Sequence, residues 1–287
     1  MRSIGILQVD AFTEIPFEGN PAGVVLDAAG LREPEMQAIA REMNCSETAF
    51  VLPSDGADLR LRYFTPTQEV DLCGHATIAS LHALREAGRL RGALRAETNV
   101  GVLSLSAEPG GMQWMEQAAP RRRPFPGDPG ELMAILGLGA GDLAPDVPVG
   151  LAYTGLWALL VPLMDIRALR RARPDFAALA ELNRRLGATS THLFCREVER
   201  AGSTLHTRDF SPAAGVPEDP QTGTASGALA TYLVALGALA AGRHVFEQGF
   251  TVGRPGLIHV EVAEGAAGAR VGGRAVTSLR GAMALPD

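Results

Sequence analysis

Four side chains stand out in this 287-residue chain as candidates for moving a proton: Glu47, Cys73, His75 and Asp219. Glu47 opens the apolar run Thr48-Ala49-Phe50-Val51-Leu52. A carboxylate in such a strand is costly unless it is paired or put to use. A helix-capping role does not fit Ser46-Glu47, because a strand follows. Cys73 and Asp219 belong to a phrase that the chain says twice. Arg62-Tyr63-Phe64-Thr65-Pro66 recurs as Arg208-Asp209-Phe210-Ser211-Pro212. Cys73 stands eleven residues after the first arginine and Asp219 eleven after the second. Each is followed by small residues and a mostly apolar helical stretch, so a thiol and a carboxylate occupy matching places in two related halves.

Leu72-Cys73-Gly74-His75-Ala76-Thr77 leads into the first of these helices, and Glu218-Asp219-Pro220-Gln221-Thr222-Gly223-Thr224 into the second. Helix N-termini carry unsatisfied N–H groups and the positive end of the dipole, and they bind anions such as carboxylates. Gly74 and Gly223 let a ligand approach the backbone closely. Two such N-termini facing one cleft would hold an acid and stabilise an enolate-like intermediate. Plainer roles compete. Asp219 and Thr224 suit helix caps, Cys73 suits an ordinary buried cysteine, and His75 suits a structural histidine. His75 and His82 make a poor metal pair, since no third ligand has sensible spacing; no metal site is expected.

The remaining composition narrows the class. A net charge of −6 argues against a nucleic-acid partner. The one basic run, Arg121-Arg122-Arg123, lies between Pro120 and Pro124 and reads as a solvated linker turn. Three cysteines (Cys45, Cys73, Cys195) without a CxxC suggest neither a disulfide framework nor a zinc site. The N-terminal apolar run is too short for a signal peptide. No stretch approaches the ~18 apolar residues of a membrane helix. A cytoplasmic protein without membrane partners is expected. The chain has no lysine, which disfavours a pyridoxal-phosphate enzyme and a Walker P-loop alike.

These groups need elements to position them. Hydrophobic periodicity predicts strands over 4–12, 22–26, 46–52 and 59–64 and helices over 34–43 and 76–87, then a hairpin over 100–116. The second half runs parallel, with strands over 155–161, 191–195 and 204–210, helices over 176–186 and 225–236, and strands over 257–262 and 269–276. The two helices that follow the repeated phrase are apolar on nearly every face and must be enclosed. The fold expected is therefore α+β: two pseudo-symmetric lobes, each a curved, mostly antiparallel sheet or barrel around a central helix. The boundaries read as 1–118 for the first lobe, 119–148 for a Pro/Gly-rich linker and 149–287 for the second lobe, with room for the last residues to return to the first.

Several motifs, in order, resemble one family. Phe12-Thr13-Glu14-Ile15-Pro16-Phe17-x-Gly19-Asn20-Pro21-Ala22, Ser46-Glu47-Thr48-Ala49-Phe50-Val51, Tyr63-Phe64-Thr65-Pro66, Glu69-Val70-Asp71-Leu72-Cys73-Gly74-His75-Ala76-Thr77 and Glu218-Asp219-Pro220-x-Thr222-Gly223 look like the phenazine-biosynthesis PhzF family. The resemblance runs from Val9 to about Gly273. It implies a fold similar to diaminopimelate epimerase and proline racemase. It also implies a cofactor-independent isomerase, usually a homodimer, acting on a small carboxylic acid. The family's acid/base glutamate matches Glu47, its Gly-His histidine matches His75, and its Asp-Pro aspartate matches Asp219. A family serine corresponds to Thr224. Asn20, Cys73 and Thr77 would line the cleft, and amides around Gly74, Ala76, Gly223 and Thr224 would hold the substrate carboxylate. Related epimerases use two cysteines, one per lobe. Here Cys73 has no thiol counterpart, and Asp219 takes its register. Three readings follow: an isomerase using Glu47, a racemase or epimerase using Cys73, and a binding protein that kept the cleft without catalysis.

Overall fold

The structure is a computed structural model that describes residues 2–90 and 92–286. It divides into two compact units, Met1–Glu116 with Gly272–Asp287, and Gln117–Val271.

In the first unit, strand β1 (Arg2–Ala11) pairs antiparallel with β2 (Asn20–Val25). The turn between them depends on Gly19, whose φ is 66° and whose missing Cβ would lie 2.2 Å from the Ala11 carbonyl oxygen. Helix α1 (Glu33–Met43) carries the chain over to β3 (Glu47–Leu52), which lies parallel to β2. Strand β4 (Leu59–Phe64) runs antiparallel to β3, and the short β5 (Glu69–Val70) pairs back on β4. Next comes helix α2 (Gly74–Glu86), with every residue from His75 to Leu84 buried. It packs on β1, β2 and β3. Strands β6 (Ala93–Thr98), β7 (Gly101–Ala107) and β8 (Gln113–Glu116) follow, β6 parallel to β4 and the other two antiparallel in turn. The last strand of the chain, Ala275–Leu285, pairs antiparallel with β1.

The second unit opens with β9 (Arg121–Pro124), helix α3 (Pro129–Ile135) and β10 (Gly150–Tyr153). The segment expected as a linker is thus built into this unit, β9 pairing antiparallel with β10. The basic run is an exposed strand, not a turn. It is held there by cation–π packing: the Arg121 guanidinium lies 3.9 Å from the Tyr153 ring centroid and that of Arg123 4.5 Å from Trp157.

From β10 onward the first unit's order repeats. Strand β11 (Trp157–Pro162) runs antiparallel to β10. Two helices, α4 (Ile166–Arg171) and α5 (Phe176–Leu186), lead to β12 (Ser190–Cys195), which is parallel to β11. Strands β13 (Leu205–Ser211) and β14 (Val216–Asp219) continue antiparallel. Helix α6 (Gly223–Ala235) is buried from Gly223 through Leu233. Strand β15 (Gly242–Gln248) lies parallel to β13, and β16 (Gly256–Val262) antiparallel to β15. The protein is α+β, as expected, with pseudo-symmetric units each enclosing a helix that is apolar all round. Both enclosed helices start slightly earlier than their apolar patterns, α2 with Gly74-His75 and α6 with Gly223-Thr224.

The repeated phrase has a structural job in each unit. Arg62 forks onto Glu69, Nε to Oε1 at 2.7 Å and Nη2 to Oε2 at 2.6 Å. Arg208 forks onto Glu218 in the same way, at 2.9 and 2.8 Å. Each guanidinium also lies over the phenylalanine two residues on, 5.1 Å from the Phe64 centroid and 4.8 Å from that of Phe210. Two planar ion pairs on two aromatic faces thus clamp β4 to β5 and β13 to β14.

Candidate active site

The clamps give the true correspondence between the halves. Glu69 is followed four residues later by Cys73, the residue that caps α2, and Glu218 four residues later by Thr222, the cap of α6. Beyond the caps, Thr77 Oγ donates to the Cys73 carbonyl at 2.7 Å, and Ser226 Oγ to the Thr222 carbonyl at 2.9 Å. The counterpart of Cys73 is therefore Thr222, not Asp219. Asp219 stands opposite Asp209 in the position that Val70 holds opposite Tyr63. Counting eleven residues from each arginine misled, because the β13–β14 connection is longer and contains a 3-10 turn, Pro212–Ala214. Strand register also gives Glu47 a counterpart in the second unit. Ala22 faces Glu47, and Ala158 faces Ser190. Ser190 thus holds the place of Glu47.

The first unit brings three of the expected residues together. Glu47, at the start of β3, is 16% exposed and puts Oε2 3.3 Å from His75 Nε2. Ser46 Oγ lies 3.2 Å from the same nitrogen. Cys73 Sγ is 3.4 Å from His75 Nδ1. The Cys73 side chain makes no cap hydrogen bond to α2, so capping does not account for the thiol. Burial pushes the Glu47 carboxyl above the usual carboxylate range, while hydrogen bonds with Ser46 and Cys73 pull the other way. Burial drives the Cys195 thiol up to about 12, the mark of an inert core cysteine.

Asn20 is buried at the start of β2, two residues before the partner of Glu47, and strand alternation places it on the same sheet face. Gly74 and Ala76 lie in the first turn of α2, where backbone N–H groups lack helical partners. Thr77 turns inward: its hydroxyl bonds Tyr63 Oη at 2.7 Å as well as the Cys73 carbonyl. Distance alone would admit a cation here, since ligand atoms of Glu47, Cys73 and His75 lie within 4.8 Å of one another.

In the second unit, Thr222 Oγ donates to Asp219 Oδ2 at 2.6 Å. Gln248 fixes both: Nε2 donates to the Asp219 carbonyl at 2.8 Å, and Oε1 accepts from the Thr222 N–H at 3.2 Å. Gly223 and Thr224 are buried in the first turn of α6. Thr222, not Thr224, holds the cap position, and the Thr224 carbonyl accepts from Thr154 Oγ at 3.1 Å. Sequence reasoning missed Ser46, Thr222 and Gln248 as positioning groups. Ser46 and Thr222 lay inside quoted motifs, whereas no local pattern marked Gln248, which arrives from a distant strand.

The model of the phenazine biosynthesis-like protein family matches residues 9–281. The chain belongs to that family. An uncharacterized isomerase, YfhB, of Bacillus subtilis (strain 168) is 40% identical over 270 residues, covering 92% of each chain. The trans-2,3-dihydro-3-hydroxyanthranilate isomerase of Pseudomonas fluorescens is 35% identical over 287 residues, covering 96% of this chain and 98% of that protein. Among solved structures, a PhzF-family protein of Bacillus anthracis superposes with a TM-score of 0.92 at 36% identity, covering 99% of this chain and 100% of the other. The fold extends further: a hydroxyproline epimerase of Agrobacterium vitis matches 99% of this chain and 91% of its own with a TM-score of 0.66, at 15% identity. That likeness is one of fold alone. Within the PhzF family, the glutamate, histidine and thiol grouped at the start of α2 become a candidate catalytic cluster. Among the described residues no helix is long and apolar enough to cross a membrane.

Proposed function

We propose that this PhzF-family protein is an isomerase that moves a proton within a small carboxylic acid, with Glu47 as general acid and base. The observation that carries the reading is a carboxyl group buried beside His75 and held toward its protonated form. A carboxyl displaced toward neutrality can both take and return a proton at physiological pH, which a surface glutamate does poorly. His75 steadies that carboxyl and its charge changes through Nε2. The first-turn amides of α2 around Gly74 and Ala76 receive the substrate carboxylate. The family resemblance assigns Asp219, Gly223 and Thr224 to substrate contact as well, and Asn20 to the wall of the site. The 35% identity to a dihydro-hydroxyanthranilate isomerase makes unsaturated ring acids the first substrates to try. Homodimer assembly and a cytoplasmic location belong to the same reading.

The test is solvent-label uptake. Trans-2,3-dihydro-3-hydroxyanthranilate and a panel of cyclic and amino acids are incubated with the protein in deuterated water and followed by NMR. Rearrangement of one of them, with deuterium entering at a single carbon, is the expected result. An acid that binds but neither rearranges nor exchanges a proton would point to a binding protein instead.

A second reading gives Cys73 the proton. It draws on the 3.4 Å approach of the thiol to His75 Nδ1, since imidazole and the helix N-terminus both favour thiolate. Under the Glu47 reading, Cys73→Ala should keep turnover within about tenfold of wild type, a cost of about 1.4 kcal/mol. Complete loss, with the fold intact by circular dichroism, would transfer the role to the cysteine.

A further inference from the structure

The duplicated frame allows the two units to be compared position by position, and one position differs in a telling way. Helix α1 runs eleven residues from Glu33, ends on left-handed Asn44 and leads to Glu47. Helix α5 runs eleven residues from Phe176, ends on left-handed Gly187 and leads to Ser190. Glu33 and Phe176 are therefore equivalent. In the first unit the Glu33 carboxylate accepts from Arg62 Nη2 at 2.8 Å, a second carboxylate on the clamp arginine. Phe176 offers the equivalent Arg208 no such group. A cavity of about 370 Å³ lies there instead, lined by Arg173, Phe176, Arg208, Phe210, Glu218 and Thr251.

The charge of that cavity is unbalanced. Glu218 is matched by the fork of Arg208 and accepts from Thr251 Oγ as well. Arg208 spends Nη1 on the carbonyls of Leu169 and Ala172. Arg170 and Arg171 pair with Glu199 and Asp142. Arg173 donates to the carbonyls of Arg170 and Ala172, and among the described residues it meets no carboxylate. One positive charge is left over beside an aromatic wall, Phe176 and Phe210 lying 6.3 Å apart at 57°.

We propose that this cavity binds a small monocarboxylate with a flat apolar body, such as an aromatic acid. Its carboxylate stands where Glu33 stands in the other unit, between Arg208 and Arg173, and its ring lies against Phe176. Strand alternation puts Arg208, Phe210 and Glu218 on the sheet face opposite Asp209 and Asp219, so this is a different place from the Asp219 end of α6. The proposal stands or falls independently of any role for Glu47.

The test uses the full chain, labelled with nitrogen-15 and titrated with sodium benzoate, with benzamide as the neutral isostere. Benzoate should produce saturable amide shifts at Arg173, Phe176 and Thr251, with a millimolar dissociation constant. Removing the guanidinium that meets no carboxylate, in Arg173→Ala, should weaken it about tenfold or more. Phe176 is 42% exposed, so Phe176→Glu should leave the fold intact. It restores the first unit's carboxylate and should abolish the shifts. Absence of saturable shifts, equal binding of benzamide, undiminished shifts in Phe176→Glu, or shifts confined to the surroundings of Glu47 would each overturn the proposal.

Discussion

Glu47→Gln should abolish turnover and at the same time make the protein more stable at neutral pH. The loss follows from the proposed chemistry. Glutamine keeps the shape and the capacity to hydrogen-bond Ser46 but cannot carry a proton, and a positioned acid/base is worth roughly 10²- to 10⁴-fold in rate. The gain in stability follows from burial. Folding moves the Glu47 carboxyl above its ordinary value of 4.5. Below that value both folded and unfolded chains hold it protonated, and folding costs nothing extra. As pH rises through the unfolded value, the unfolded chain ionises first and the folded state is penalised, fully so above the folded value. Glutamine escapes this penalty. Denaturant midpoints for both proteins, at neutral pH and near pH 3, check the sign. The variant should lead at neutral pH, and the gap should close on acidification. A variant less stable than wild type at neutral pH, or a gap that acid does not close, would remove the argument that Glu47 is held toward its neutral form.

Arg208→Met should destabilise the protein far more than Arg62→Met, although both arginines sit in the same phrase and make the same fork. Arg208 is 4% exposed and meets Glu218, two carbonyls and the Phe210 face. Its removal strands a largely buried carboxylate and leaves two carbonyls unmet, a loss of about 3–5 kcal/mol. Arg62 is 16% exposed, and its second partner Glu33 is 66% exposed. Water replaces much of what Arg62 offers, so about 1 kcal/mol is expected there. Urea denaturation separates the two cases. Adding Glu218→Gln to Arg208→Met should recover part of the loss, because the uncompensated charge is gone. Equal losses at the two sites would show that burial does not set the worth of the clamp.

The sequence made the duplication readable because the clamp needs an arginine and a phenylalanine two places on in both units, although the glutamate that receives the fork follows seven residues after Arg62 and ten after Arg208. It made Glu47 readable because a carboxylate does not otherwise belong at the head of an apolar strand. Register was not readable. Whether Cys73 matches Asp219 or Thr222 depends on the length of the turn after each clamp strand, and Pro212–Ala214 adds residues there without disturbing the motif on either side. The segment over 119–148 looked like a linker because it is rich in proline and glycine. Its placement rests on pairing between β9 and β10 and on arginines over aromatic rings, interactions between residues far apart in sequence. Gln248 was invisible for the same reason.

The strand Ala275–Leu285 closes the first unit by pairing along the whole of β1. During synthesis β1 is made more than 260 residues before this partner. At ~5–20 residues per second the interval is tens of seconds. Throughout it, one edge of β1 offers unpaired N–H and C=O groups to any passing strand. The second unit, contiguous in sequence, can finish folding first. The unit that carries Glu47, His75 and Cys73 must wait, so a ribosome that stalls late would release a chain with its second unit formed and its proton-handling unit open.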